Sequence, residues 1–446
     1  MDVALFVTQL LVVLGCIVMG TRSSGVGLGL WGGAGVAILV FIFRLVPGAP
    51  PVDALLIVLA VVLASSMMQS AGGIDWMVSI AAKLIARNPK QITLVAPLVS
   101  FLFSVGAGTS NILYPLLPVI QDLSYRNGVR PSRPLSLSVV ATGVALACSP
   151  VSAAMAAMVT LTDTAPWNFE LVDILKVTIP AAIVGIVLSS IVVNKLGKEI
   201  ADDPEIQARI ASGEIAAPSA NAAAVQAEVT VTKEGRNAAI IFLLGVAAIV
   251  CFGLFKGLRP LDADGGPIAM TPVIEIVMFV VGTLILVICR PKVSEIPTMS
   301  VFKAGMVSAI ALFGLAWLTD TFLGAHSEAI AGGVGGLVTA APWIFALGVF
   351  LVCVLTTSQS TATRTIVPIG LAAGIPLGLL TGMWAGAFAG IYLLPTNGSQ
   401  IAAANFDHSG STKLGTKLVD HSFFLPSIIL AVTTIAAGAL FGMVWG

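Results

Sequence analysis

Gly108-Thr109-Ser110-Asn111 and Ser149-Pro150-Val151-Ser152 interrupt otherwise apolar stretches in the first half of the chain. In the second half, Thr357-Ser358-Gln359-Ser360-Thr361 and Pro395-Thr396-Asn397-Gly398-Ser399 do the same. Asn111 to Ser149 is 38 positions (149−111), and Thr361 to Ser399 is also 38 (399−361). Backbone at membrane depth can leave its helix only where protein or a water-filled cavity satisfies the freed N–H and C=O groups. Paired interruptions in corresponding halves therefore predict a duplicated transporter core with its substrate site at the breaks.

Working outward from these breaks, the rest of the chain supplies the apolar surroundings they need. The 446 residues are 57% hydrophobic and 10% charged, with 22 basic and 22 acidic residues; mean hydropathy is +1.02. A soluble globule of this size would need more polar surface, and a neutral chain offers no nucleic-acid footprint. The composition specifies an all-α polytopic membrane protein in contact with lipid. Runs near the roughly 20 apolar residues of a bilayer crossing fall at 4–20, 28–46, 54–71, 174–193, 238–254, 273–289, 304–322 and 424–445. The stretches 135–161 and 377–404 each carry the second interruption of a pair and read as broken helices. About ten crossings result.

Segments 92–121 and 343–376 are split near their middles, leaving arms too short to cross, and are predicted to be re-entrant hairpins. Lys83, Arg87 and Lys90 precede the first hairpin and Arg126, Arg130 and Arg133 follow it, which puts both its ends on a basic, cytoplasmic side. The acidic loop with Asp163, Glu170 and Asp173 reads as external. Five crossings per half place both termini outside and make 1–194 and 236–446 inverted repeats. Arg44, near the outer end of its helix, is a mild exception to the charge rule. The polar stretch 195–235 reads as a solvated cytoplasmic linker with some helix. Met1-Asp2-Val3 lacks the basic start of a cleaved signal, so the first apolar run is expected to be the first crossing.

Cys16, Cys148, Cys251, Cys289 and Cys353 show no metal or redox spacing, and no cofactor or metal is expected. His326, His408 and His421 share no helix face with carboxylates, which argues against a nucleophile–base pair and against an enzyme. What the breaks do offer is helix ends. N-terminal N–H groups attract anions and C-terminal carbonyls hold cations. Hydroxyls such as Ser149, Ser152, Ser358, Ser360 and Thr361 can cap those ends and also bind a carboxylate. Close helix packing is the bland alternative for a single such residue, but four clustered interruptions favour a site.

Arg364 lies six positions past Ser358 within an apolar run. An intramembrane arginine costs a few kcal/mol or more unless paired or hydrated. Neither hairpin arm has an acidic residue near it, so a substrate carboxylate is a candidate partner. Backbone carbonyls, or snorkelling to the outer surface, are the alternatives. Asp122 and Asp320 read as interfacial, and Glu275 as a helix–helix hydrogen-bonding group.

Several of these motifs carry a resemblance. The chain is similar, nearly end to end, to the Dcu-type anaerobic C4-dicarboxylate transporters, through Ala71-Gly72-Gly73-Ile74-Asp75, Arg87-Asn88-Pro89-Lys90, Gly108-Thr109, Leu117-Pro118-Val119-Ile120, Arg133-Pro134-Leu135-Ser136 and Ser149-Pro150-Val151-Ser152. In the second half it runs through Phe302-Lys303-Ala304-Gly305, Asp320-Thr321-Phe322, Ser358-Gln359, Leu394-Pro395-Thr396 and His421-Ser422-Phe423-Phe424. The resemblance implies transport of fumarate, succinate, malate or aspartate across a bacterial inner membrane, often by exchange. It also implies kinship with dimeric elevator-type carriers. Departures at Ser110, where relatives carry glycine, and at Asn397-Gly398, where they carry an aromatic residue and proline, fall at the expected site. Some relatives carry lysine where Arg364 stands.

The combined reading is a secondary carrier of C4-dicarboxylates working by exchange, as a homodimer. Thr109, Ser110, Asn111, Ser149 and Ser152 are expected to bind one side of the substrate. Ser358, Gln359, Ser360, Thr361, Arg364, Thr396, Asn397 and Ser399 are expected to bind the other. The alternative is a sodium- or proton-coupled carrier of a related organic anion or acidic amino acid, with its coupling ion unidentified by any side chain. An anion channel would need a continuous polar stripe, which the helices lack.

Overall fold

The computed structural model describes residues 3–23, 26–163, 166–219, 231–263, 265–415 and 419–445. Helix dominates the described residues. The helices are α1 (Val3–Ser23), α2 (Gly27–Ala37, continued by a π turn to Ile42), α3 (Val52–Ser70), α4 (Gly73–Ala86), α5 (Ile92–Ala107), α6 (Leu117–Arg126), α7 (Ser132–Ala145), α8 (Ala153–Thr162) and α9 (Leu171–Val193). They continue with α10 (Pro204–Ala211), α11 (Lys233–Leu254), α12 (Met270–Cys289), α13 (Ser300–Ala340), α14 (Trp343–Thr356), α15 (Gln359–Ala372), α16 (Leu377–Ala387), α17 (Gly398–Phe406) and α18 (Phe424–Trp445).

Six described helices are long and apolar enough to cross a bilayer, and α3 with α4 makes a seventh if counted as one span. These two helices meet at a 75° bend. At the bend Gly72 takes φ +84°, a left-handed conformation that a residue without Cβ adopts freely. The expected run 54–71 therefore does not stop where its apolar residues stop. It turns into α4, a helix that the apolar count overlooked. At about 1.5 Å per residue the 41-residue α13 is about 60 Å long, twice the hydrocarbon thickness of a bilayer.

Two groups of helices pack among themselves. In one, α2 lies along α13 and α12 along α3, and α1 lies along α2. Glycines let the backbones touch: a Cβ on Gly314 would sit 1.9 Å from the Gly29 carbonyl oxygen. Val13, Ile17, Leu28, Leu39, Leu315, Leu318 and Phe322 form the small core between these helices. In the other group α18 packs on α16 and α9, and α5 on α7. A Cβ on Gly382 would lie 1.9 Å from the Gly438 oxygen, so α16 and α18 also meet at their backbones. Ser189 and Thr433 exchange a hydroxyl contact of 3.0 Å between α9 and α18. The groups face each other where α13 meets α15 and α3 meets α8.

The polar stretch after α9 is less free than a solvated linker. Arg130 pairs with Asp203, Arg133 with Glu199 and Lys413 with Glu205. The Tyr125 hydroxyl donates to the Ala216 carbonyl at 2.7 Å. Residues 194–216 are thereby held against the ends of α6 and α7 and the segment after α17. Glu228, expected among the linker's acidic residues, falls outside the described residues.

Candidate functional site

At each expected interruption the helix stops, and the next segment starts on a polar cap. α5 ends at Gly108, whose φ is +68° and whose N–H bonds the Ser104 carbonyl at 2.9 Å. A Cβ there would meet the Val151 carbonyl oxygen at 2.8 Å, so the turn after α5 rests directly on the break between α7 and α8. Thr109 follows, extended, and its Oγ1 accepts the Asn111 N–H at 3.2 Å before a 3-10 turn over Ser110–Leu116. In the second half α14 ends at Thr357, φ +50°. Ser358 then caps α15, its Oγ accepting from the Thr361 N–H at 3.3 Å and from the Thr361 hydroxyl at 2.9 Å.

The two broken helices are built in the same way. Between α7 and α8, Ser152 donates its hydroxyl to the Leu146 carbonyl at 2.5 Å and accepts the Met155 N–H at 3.0 Å. Ser149, fully buried, accepts from the Val151 N–H. After α16 a 3-10 turn runs Phe388–Tyr392, and Asn397 caps α17 in a reciprocal box with Gln400. The Asn397 Oδ1 accepts from both the N–H and the hydroxyl of Ser399. Thr109, Ser152, Ser358 and Asn397 thus cap the four segments, each satisfying one of several N–H groups left open at a helix start.

These ends converge on a cavity of about 650 Å³. Of the expected site residues, Thr109, Ser110, Asn111, Ser152, Ser358, Gln359, Ser360 and Thr396 line it. The N-terminal turns of α8 and α15 face it, and so do the C-terminal ends of α5, α7 and α14 through Gly108, Leu146 and Thr357. Its other wall comes from α3 (Ile57 to Ser65) and α13 (Val301 to Ala311). None of the described lining residues is charged. The site is a set of neutral donors and helix ends of both polarities around one space.

Ser149, Thr361, Asn397 and Ser399 do not line this cavity; they hold the breaks in shape from behind. Arg364 is elsewhere. It is buried at 6% exposure and lines a second cavity of about 190 Å³ with Asp53, Thr160 and Asp320. Six residues at 1.5 Å put it about 9 Å along α15 from Ser358.

Sequence reasoning missed two supports, Gln400 and His421. Gln400, fully buried, gives its amide to the Tyr392 carbonyl at 2.9 Å and its oxygen to the Asn397 N–H at 3.0 Å. His421 Nε2 contacts the Leu393 carbonyl at 2.9 Å, and its Nδ1 accepts the Phe423 N–H, which leaves the proton on Nε2. Gln359 reaches across the halves to the Gly143 carbonyl at 3.3 Å. Gln400 was readable, because a glutamine three places after an asparagine cap is a capping-box signal. His421 had no such signal. Among the described residues no group of three or more His, Cys, Asp or Glu could hold a metal.

Described residues that are mainly helical, with broken helices around an uncharged cavity, suit a membrane transporter, and the comparisons agree. Residues 5–446 match the family model for the anaerobic C4-dicarboxylate membrane transporters. The chain belongs to that family, whose members are transporters and not enzymes. It is 36% identical to the anaerobic C4-dicarboxylate transporter DcuB of Escherichia coli O6:H1, over 99% of each chain. It is 33% identical to the C4-dicarboxylate transporter DcuA of Helicobacter pylori, over 96% of this chain and 97% of that one. Among solved structures, the Alcanivorax borkumensis YdaH transporter superposes with a TM-score of 0.60 at 14% identity, over 99% of this chain and 97% of that one. MtrF of Neisseria gonorrhoeae gives 0.54 at 12% identity, over 91% and 84%. At those identities the likeness concerns the fold.

Proposed function

We propose that the protein exchanges C4-dicarboxylates such as fumarate, succinate, malate or aspartate across the bacterial inner membrane. The observation that carries this reading is the convergence of the α8 and α15 N-terminal turns and the Thr109–Asn111 tip on one cavity. Helix N-termini present N–H groups and positive partial charge to an anion. One carboxylate meets the first-half donors Thr109, Ser110, Asn111 and Ser152, and the other meets Ser358, Gln359, Ser360 and Thr396. Ser149, Thr361, Asn397 and Ser399 act as the frame, and Arg364 bears on the substrate only from beyond it. Exchange is favoured because a second dicarboxylate re-satisfies the open N–H groups before the site returns.

In this reading 1–194 and 236–446 are inverted repeats joined by 195–235, both termini are periplasmic, and five crossings per half accompany each hairpin. The group α5–α9 with α14–α18 carries the site past a scaffold of α1–α3 and α11–α13, as an elevator, and the scaffolds of two copies form a dimer. With that orientation the 650 Å³ cavity opens to the cytoplasm, since it reaches Gly20 and Leu28 at the α1–α2 turn and the start of α13.

A coupled carrier is the second reading, because C-terminal carbonyls of α5, α7 and α14 face the same space and suit a sodium ion. Proteoliposome uptake of labelled fumarate, succinate and aspartate separates the two. Uptake that requires internal dicarboxylate supports exchange. Uptake driven by a sodium or proton gradient alone supports the coupled carrier, and no uptake of any of the three defeats both.

A further inference from the structure

The second cavity poses an electrostatic question that the substrate site does not answer. Arg364 is its one basic lining residue, and among the described residues it makes no ion pair; its Nη2 donates to Thr160 Oγ1 at 3.3 Å and its Nε has no partner. A buried, uncompensated guanidinium is costly. Thr160 belongs to α8, so this hydrogen bond stays within the helix group that contains α15.

The facing wall belongs to the other group, and it is acidic. Asp320 on α13 and Asp53 in the first turn of α3 both line the cavity. Asp320 is fixed: its Oδ2 accepts the Ala49 N–H at 2.7 Å, the Gly48 N–H bonds Thr321 Oγ1 at 3.0 Å, and Trp317 Nε1 bonds the Gly48 carbonyl at 2.7 Å. A Cβ on Gly48 would lie 2.3 Å from that carboxylate, so the loop before α3 is moulded onto it. Two carboxylates, on α3 and α13, thus share with one guanidinium on α15 the lining of a space that bridging water can fill.

We propose that Asp53 and Asp320 are the counter-charges of Arg364 in this conformation, and that the three form an electrostatic latch between the two helix groups. Arg364 is then a positioning residue, a different task from the substrate contact that its sequence context suggested. The latch rests on the two-group elevator reading. Moving the α15 group outward would carry Arg364 away from these carboxylates toward external water, so the latch holds the group in the state in which the larger cavity is open. Removing the carboxylates strands a buried cation, which is worse than removing all three charges.

The test follows that sign pattern. Ser308→Cys on α13 places a reporter on the scaffold wall of the larger cavity, and inside-out vesicles are treated with a membrane-impermeant maleimide. Asp53→Asn with Asp320→Asn is expected to slow labelling at least fivefold. Adding Arg364→Gln is expected to restore the rate to within twofold of the reporter alone, whereas adding Arg364→Lys should leave it slow. Unchanged labelling in the double variant overturns the latch, and so does a loss that Arg364→Gln fails to relieve. If the double variant does not elute as a folded protein in detergent, Asp320→Asn alone is put through the same sequence. No substrate enters the readout, so a failure of the dicarboxylate assignment shows up only in the uptake experiment.

Discussion

The tips after α5 and α14 turn the chain through the same left-handed conformation with different residues. In the first, Gly108 is wedged against the Val151 carbonyl, and neither its φ nor its surroundings admit a side chain. In the second, Thr357 holds φ +50° with its side chain exposed to the cavity. A left-handed non-glycine residue costs roughly 1–2 kcal/mol. The first tip is therefore shaped by backbone contact, while the second accepts strain in return for a hydroxyl at the site.

The largest effect should come from breaking the first tip. Gly108→Val adds a branched side chain where Val151 already sits, and uptake should be abolished with a clear fall in thermal stability in detergent. Thr357→Gly at the matching place should lower uptake only in part, through loss of the hydroxyl, and raise the melting temperature slightly. Equal losses at both tips would end the distinction. Next, Ser358→Ala removes a cap and a lining hydroxyl together. A hydrogen bond to a charged group contributes about 1.5–3 kcal/mol, so substrate affinity should fall about tenfold or more by binding titration. Asn397→Ala removes a cap that does not line the cavity. Stability should drop by about 1 kcal/mol while affinity stays within about twofold, and a large affinity loss would bring Asn397 into the site.

The smallest effect concerns pH at the strap after α9. Burial works against the Asp203 charge, but hydrogen bonds from Arg130 and the Ile206 and Glu205 N–H groups, with the Arg130 charge, hold its carboxyl below the usual range. A depressed carboxylate contributes stability above its unfolded pKa of about 3.9 and loses it as pH falls through the lower folded value. The stability gap between wild type and Asp203→Asn should thus be equal at pH 7.5 and pH 5.5. A gap that narrows across that interval would contradict the depressed carboxyl.

Much of this arrangement is legible in the chain because membrane helices advertise their breaks. The apolar background makes Gly108-Thr109 and Ser149-Pro150-Val151-Ser152 stand out, and helix termini fall within a few residues of each interruption. The α3–α4 bend was harder to see. Gly72-Gly73 marks it, but α4 is amphipathic with Asp75 and Lys83, so an apolar-run count passes over it. Arg364 stands out in its apolar run, yet neither α14 nor α15 offers it an acidic neighbour, since the facing carboxylates come from α3 and α13. The linker's docking escaped for the same reason. Charges at Arg130, Arg133 and Lys413 read locally as loop markers, and only the fold brings them to Asp203, Glu199 and Glu205.

The uncharged lining of the larger cavity has a consequence for how the carrier experiences membrane voltage. A dicarboxylate bound there brings two negative charges that no lining side chain offsets. Moving one elementary charge through the full field changes the energy by about 2.3 kcal/mol per 100 mV, so a one-way passage of the dianion would be strongly voltage-dependent. Swapping one dianion for another returns the same charge in the opposite direction and cancels the electrical work. In the proposed exchange, swapping equally charged dianions leaves concentration ratios alone to set the direction of transport, whereas exchange with aspartate, whose ammonium leaves one net negative charge, keeps a voltage term.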